Sequence, residues 1–153
     1  MSVTFSLTFG GEDQVSRTLE RFADRSDDAS PAFRAIADAF AAFERRQFAS
    51  QGVAGSGSPW EPLSPRYAAW KARRYPGQPI LVATGALRRS LTERPLGVER
   101  IGSDYAELGS EVAYGRFHQQ GDGVPQRRPV DLPESERRDM VKVLQRWIVT
   151  GKV

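Results

Sequence analysis

Polar and apolar residues alternate without a break from Ser2 to Phe9, with Val3, Phe5, Leu7 and Phe9 on one side and Ser2, Thr4, Ser6 and Thr8 on the other. A period of two marks a half-buried strand, and Gly10 and Gly11 end it. The period then lengthens. Val15, Leu19 and Phe22 predict a short amphipathic helix from about Glu12 to Ala23, closed by Asp27 and Asp28. Ser30 before Pro31 predicts the next helix start, because a serine oxygen can accept an orphan amide and proline fits a first turn. Phe33, Ile36, Phe40 and Phe43 step by three, four and three residues, so this helix should run to about Gln51 with one apolar seam. Seven of the eight phenylalanines precede Gly52, which places much of the core in the first third of the chain.

The pattern breaks at "GVAGSGSP", Gly52 to Pro59, where small residues offer nothing to bury; a flexible loop at 52–59, ordering only on assembly, is expected. Ser64 and Pro65 then open a brief helix carrying Tyr67, Trp70, Lys71 and Arg74, stopped by Pro76, Gly77 and Pro79. "ILVATGALRRSL", Ile80 to Leu91, starts extended; Thr84 can cap a turn or two bearing Leu87 and Leu91, with Gly85 keeping the entry tight. After Pro95, residues 96–103 and 105–108 read as short strands of a hairpin or meander, and "EVAYGRFH" offers another. Pro133 to about Val149 is helical, with Met140, Val141, Leu144, Trp147 and Ile148 on one side. The sum is one α+β domain over 1–153: a small antiparallel sheet packed with a long helix of the N-terminal half and a C-terminal helix, in a chain long enough for one core.

Charge adds little to this picture. Lys and Arg number 22 against 19 acidic residues, and the two signs are interspersed, as in "RTLERFADRSDD". "KARRY" (71–75), "LRRSL" (87–91) and "QRRPV" (126–130) could touch phosphates with aromatics nearby, so a small basic nucleic-acid-binding regulator is the alternative function. The absence of cysteine excludes disulfides, thiolate catalysis and Cys-ligated zinc. His118 is the sole imidazole, and Ser110 and Asp122 lie near it in sequence. No G-x-S-x-G elbow accompanies them and the acids are dispersed, so no catalytic residue and no metal site are expected. "GVAGSGSP" lacks the Lys-Ser/Thr of a phosphate loop, and no cofactor is expected either. The N-terminus has no signal-like apolar stretch and no run approaches a membrane span, which predicts a protein made and kept in cytosol.

"AYGRFHQQGDGVPQRRPV", Ala113 to Val130, gathers multi-donor Gln and Arg side chains around Gly121 and Gly123, with Pro125 and Pro129 opposing helix. It reads as an exposed arm at about 119–129 that serves protein contacts.

From Trp60 to Ile148 the order of features resembles the phage virion morphogenesis, or tail completion, family of tailed bacteriophages. The matching residues are "WEPLS" (Trp60, Leu63), Tyr67 and Lys71, "LVATGALRRSL" (Leu81, Thr84, Gly85, Leu87, Ser90), "YGRFHQQG" (Tyr114, His118, Gln119, Gly121) and "RRPV" (127–130). A glycine stands at position 115, where small Ala is common in that family. The resemblance implies a non-enzymatic virion component at the head–tail junction that completes the tail end and joins it to a DNA-filled capsid, assembled in the host bacterial cytoplasm. It implies self-association into rings, commonly six-fold, with other phage tail and head-joining proteins as partners and non-specific contact with packaged DNA as a further option. Ring closure requires heterologous contacts. On this view Arg88, Arg89, Gln120, Arg127 and Arg128 are candidates for a subunit interface or a DNA channel, and His118 donates a structural hydrogen bond at the turn.

Overall fold

The computed structural model describes residues 12–153; the strand expected at 2–9 lies outside the described residues. Along the chain come α1 (Glu12–Asp27), α2 (Ser30–Ala49), α3 (Val53–Ser56), α4 (Pro65–Arg74), α5 (Ala86–Thr92), β1 (Val98–Ile101), β2 (Ala106–Gly109), α6 (Ala113–Gln120) and α7 (Glu134–Thr150). Among the described residues this is an α+β fold of seven helices and one two-stranded antiparallel sheet.

The joint between α1 and α2 is built differently from the Ser30 cap expected. Asp28 Oδ1 accepts from the Ser30 amide at 3.0 Å, and the capping position falls to buried Ala29, whose side chain makes no cap bond. An aspartate two residues upstream thus does the serine's work. The indole of Trp147 on α7 donates to the Arg25 and Asp28 carbonyls at 3.2 and 3.0 Å, and the Arg25 guanidinium returns to the Val149 carbonyl at 2.8 Å. These bonds fasten α7 across the α1–α2 corner.

The seam on α2 turns inward as its spacing requires, with Phe40, Phe43 and Phe48 buried. The rest of the core comes from further along than the phenylalanine count suggests: Trp60, Val82, Leu87, Leu91 and Leu96 complete the cluster around Phe40, Ala41 and Phe48. Phe48 and Trp60 meet edge to face, centroids 5.4 Å apart, a favoured aromatic geometry. Strands β1 and β2 pair from Val98 opposite Gly109 to Ile101 opposite Ala106. Arg94 ties this hairpin to α2, bridging Glu99 and, at 2.6 Å, Asp38. On α7, Met140, Leu144, Trp147 and Ile148 are half-buried, while Val141 faces solvent.

Two segments differ from expectation. Residues 52–59 contain a turn of helix, Val53–Ser56, pressed onto the body. A Cβ on Gly52, which sits at φ +100°, would fall 2.5 Å from the Trp60 ring, and one on Gly55 would fall 2.5 Å from the Asp131 carbonyl. The lack of side chains here serves close backbone approach, and Gln47 Oε1 accepts from the Gly55 amide at 2.8 Å. Residues 113–120 form a helix and not a further strand: Gly115 is buried against Leu87, and the Tyr114 hydroxyl accepts from the Leu87 amide at 3.2 Å. Tertiary contact overrides the β preference of Tyr and Phe. No helix among the described residues is long and apolar enough to cross a membrane.

Candidate functional site

Helix α6 ends at Gly121, whose φ of +77° lets its amide and that of Asp122 both reach the Phe117 carbonyl. The chain then doubles back. The Arg127 amide donates to the His118 carbonyl at 2.9 Å, and Gln126 Nε2 donates to the Gln119 carbonyl at 3.0 Å. Gln119 holds Val130 from both sides, accepting from its amide at 3.1 Å and donating to its carbonyl at 2.8 Å. Residues 119–129 are therefore a pinned return loop, exposed at Asp122, Gly123, Pro125 and Gln126.

The return loop separates the two arginines. Arg127 points inward, 4% exposed, donating from Nε to the Glu61 carbonyl at 2.6 Å and from Nη2 to the Pro62 carbonyl at 2.8 Å. It is therefore not part of an outward-facing basic pair. Arg128 stays outside near Asp131 (3.9 Å), while its carbonyl accepts from the Trp60 indole at 3.1 Å.

Where Arg127 turns in, a cavity of about 480 Å³ opens between three parts of the chain. The region around α4 supplies Leu63, Ser64, Tyr67 and Lys71; the stretch before α5 supplies Leu81, Val82, Ala83 and Thr84; α6 and the return loop supply Tyr114, His118, Val124, Pro125 and Arg127. The local chemistry explains how each side chain arrives. Ser64 caps α4 by accepting from the Tyr67 amide at 3.4 Å, and the four-residue spacings Tyr67–Lys71 and Tyr114–His118 put each pair on one helix face. Lys71 is buried and donates to the Pro79 carbonyl.

The cavity's electrostatics are one-sided. Burial, and then the neighbouring Arg127 charge, hold both the Lys71 ammonium and the His118 imidazolium below their usual pKa. Burial lowers Arg127 too, while Glu61 and Tyr67 pull it back. His118 Nδ1 is buried with no hydrogen-bond partner among the described residues, so the structural hydrogen bond expected from this side chain is not made there; the residue's backbone carbonyl ties the turn instead. Among the described residues no acid orients the imidazole, and Ser110 Oγ lies 2.6 Å from Ser90 Oγ while accepting from the Val112 amide. The described residues contain no group of three His, Cys, Asp or Glu side chains able to hold a metal ion.

Of the other residues singled out by the motif order, Trp60 and Leu87 are core, Ser90 Oγ donates to the Leu87 carbonyl, and Gly85 takes φ +80° at the head of α5. Gln119 and Gly121 shape the return loop. Arg88, Arg89 and Gln120 are exposed, with Arg89 also donating to the Thr84 carbonyl at 3.0 Å. The motif thus divides into a lining and the scaffold that holds it. Sequence reasoning missed Ser64, Val82, Ala83, Val124 and Pro125 as wall residues; the paired four-residue spacings on α4 and α6 were the available signal.

The model of the phage virion morphogenesis family matches residues 12–147. The chain belongs to that family. The match takes in α1 and α2, which the motif order beginning at Trp60 does not reach. No curated relative and no solved structure matches the chain. As a phage virion morphogenesis protein, the chain has a structural or assembly role in a bacteriophage particle, in a family that is typically not enzymatic.

Proposed function

We propose that this virion morphogenesis protein completes the tail end and joins tail to head, as a subunit of a ring with six copies as the expected number. The observation that carries the reading is the convergence of family-motif residues from three separated segments, Leu63 to Lys71, Leu81 to Thr84 and Tyr114 to His118, on one cavity without an oriented base or a metal cluster among them. Such a site suits holding over turnover.

Ring closure needs two unlike patches on each subunit, and two exposed apolar patches lie on different helices. On α1, Val15 and Leu19 are each 60% exposed. On α4, Tyr67 and Trp70 stack at 5.3 Å, Trp70 meets Tyr75 edge to face at 5.9 Å, and Trp70 is 48% exposed. Exposed aromatics beside arginines are the composition of protein-contact hot spots. The basic-regulator alternative loses one of its cations, because Arg127 is buried and bound to carbonyls.

Deleting the gene from its phage tests the proposal. Electron microscopy of the lysate should find DNA-filled heads and tails that are not joined to one another. A normal yield of joined, infectious particles would overturn it.

A further inference from the structure

The cavity beneath α4 and α6 holds two cations that no acidic side chain of its described wall pairs, the Glu61 charge acting on Arg127 from outside the lining. Lys71 and Arg127 are each 4% exposed, yet the groups they bond are backbone carbonyls of Pro79, Glu61 and Pro62. A carbonyl satisfies a hydrogen bond but carries no net charge. Among the described residues no carboxylate lines the cavity and neither cation takes part in an ion pair, although Arg94, Arg46 and Arg100 all do. Two like charges in an apolar wall are costly, and buried charges in proteins are normally paired.

Donor capacity is also left over. An ammonium has three N–H groups and a guanidinium five; Lys71 uses one and Arg127 two on these carbonyls. His118 adds a buried ring nitrogen with no partner among the described residues. The three residues that carry these groups line one space, beside the hydroxyl-bearing side chains of Ser64, Tyr67 and Thr84.

We propose that this cavity receives a carboxylate: an acidic side chain of a partner protein, presented beside an apolar residue on the same segment. The acid would pair with Lys71 and Arg127, and the apolar neighbour would lie on Leu63, Leu81, Val124 and Pro125. This apolar wall separates a protein acid from a nucleic-acid phosphate, since a duplex cannot enter a space of about 480 Å³ and phosphate contacts to DNA form on open basic surfaces. Tyr67 and Tyr114, 44% and 41% exposed, give the site amphipathic aromatic edges of the kind that anchor protein interfaces. The inference rests on the assembly reading only for the source of the segment; the pocket's preference for a carboxylate does not depend on it.

The test is an NMR titration of the isotope-labelled full chain with blocked dipeptide N-acetyl-leucyl-glutamate methylamide, its glutamine counterpart, and inorganic phosphate in parallel. The glutamate probe should shift the His118 ring signals and the Val82 and Thr84 amides saturably, with affinity at least about tenfold above the glutamine probe and above phosphate. The A83E substitution, which adds an acid to the wall, should abolish the shifts while the remaining amide spectrum stays native; K71M, which leaves Arg127 as the one cation of the pair, should narrow the preference for the glutamate probe severalfold if it too keeps the native spectrum, and an unchanged preference would count against the pairing. Equal binding of glutamate and glutamine probes by the unaltered chain, tighter binding of phosphate, or no movement of cavity signals up to tens of millimolar probe would overturn the proposal. A chain that binds the glutamate probe yet is absent from virions keeps the pocket and loses the assembly reading; the reverse result rejects the pocket alone.

Discussion

Gln119 grips Val130 by both of its backbone groups, amide to Oε1 at 3.1 Å and carbonyl to Nε2 at 2.8 Å. A side-chain amide here replaces a strand partner, and it fixes where the chain leaves the return loop on its way to α7. Q119E keeps the acceptor but sets a carboxylate against the Val130 carbonyl. It should lower stability by about 1–3 kcal/mol near neutral pH, and acid should recover part of the loss as protonation restores a donor. Urea melts at two pH values check this; equal stability of the unaltered and altered chains at both would contradict it.

Neighbouring arginines should behave oppositely. R127K loses a planar fork that serves two carbonyls at once, and about 2 kcal/mol of stability is expected to go with it. R128A removes an exposed side chain whose ion pair spans 3.9 Å, and its effect should stay within about 0.5 kcal/mol. Chemical denaturation of the two variants side by side reads the difference.

Gly52 and Gly57 both sit at positive φ, +100° and +75°, but only the first has a neighbour in the way of a Cβ. G57A should cost about 1 kcal/mol from backbone strain alone. G52A adds a collision with the buried Trp60 ring and should cost about 2–4 kcal/mol, with a changed Trp60 emission spectrum reporting the displaced indole.

Glu44 is fully buried in α2 and neither carboxyl oxygen has a partner among the described residues. Burial, aided by the Asp131 charge, pushes its pKa up to about 8 from 4.5. The folded form therefore keeps a proton that the unfolded chain releases. Below about pH 4.5 both forms are protonated and the group contributes nothing; between there and about 8, stability falls as pH rises. The fall should be on the order of 2–4 kcal/mol across that window, and E44Q, which cannot ionise, should flatten it. Thermal melts from pH 5 to 8.5 measure both slopes; parallel profiles would contradict the assignment.

Helical periodicity made α1, α2, α4, α5 and α7 legible, because each carries its apolar spacing or its capping signal within its own residues. Helix α6 was not legible: Tyr114, Gly115 and Phe117 disfavour a helix locally, and what holds it is Leu87, which lies 28 residues before Gly115. The order of 52–59 was hidden for the same reason, since Gly52 and Gly55 look like tether until Trp60 and Asp131 are seen against them. Arg127 read as a solvated cation beside Arg128 because its acceptors, the Glu61 and Pro62 carbonyls, are backbone atoms that no side-chain pattern reveals. Of the motif residues, Tyr67, Lys71, Thr84, Tyr114 and His118, scattered in sequence, line one cavity.

Quantitative mass spectrometry of density-purified infectious virions, combined with cryo-electron microscopy of the same particles, reads directly whether the chain is part of the joined particle. The chain is expected at a fixed few copies per particle, accompanied by a ring of density where tail meets head into which residues 12–153 fit. Its absence from purified infectious particles would rule out a role at the junction of tail and head.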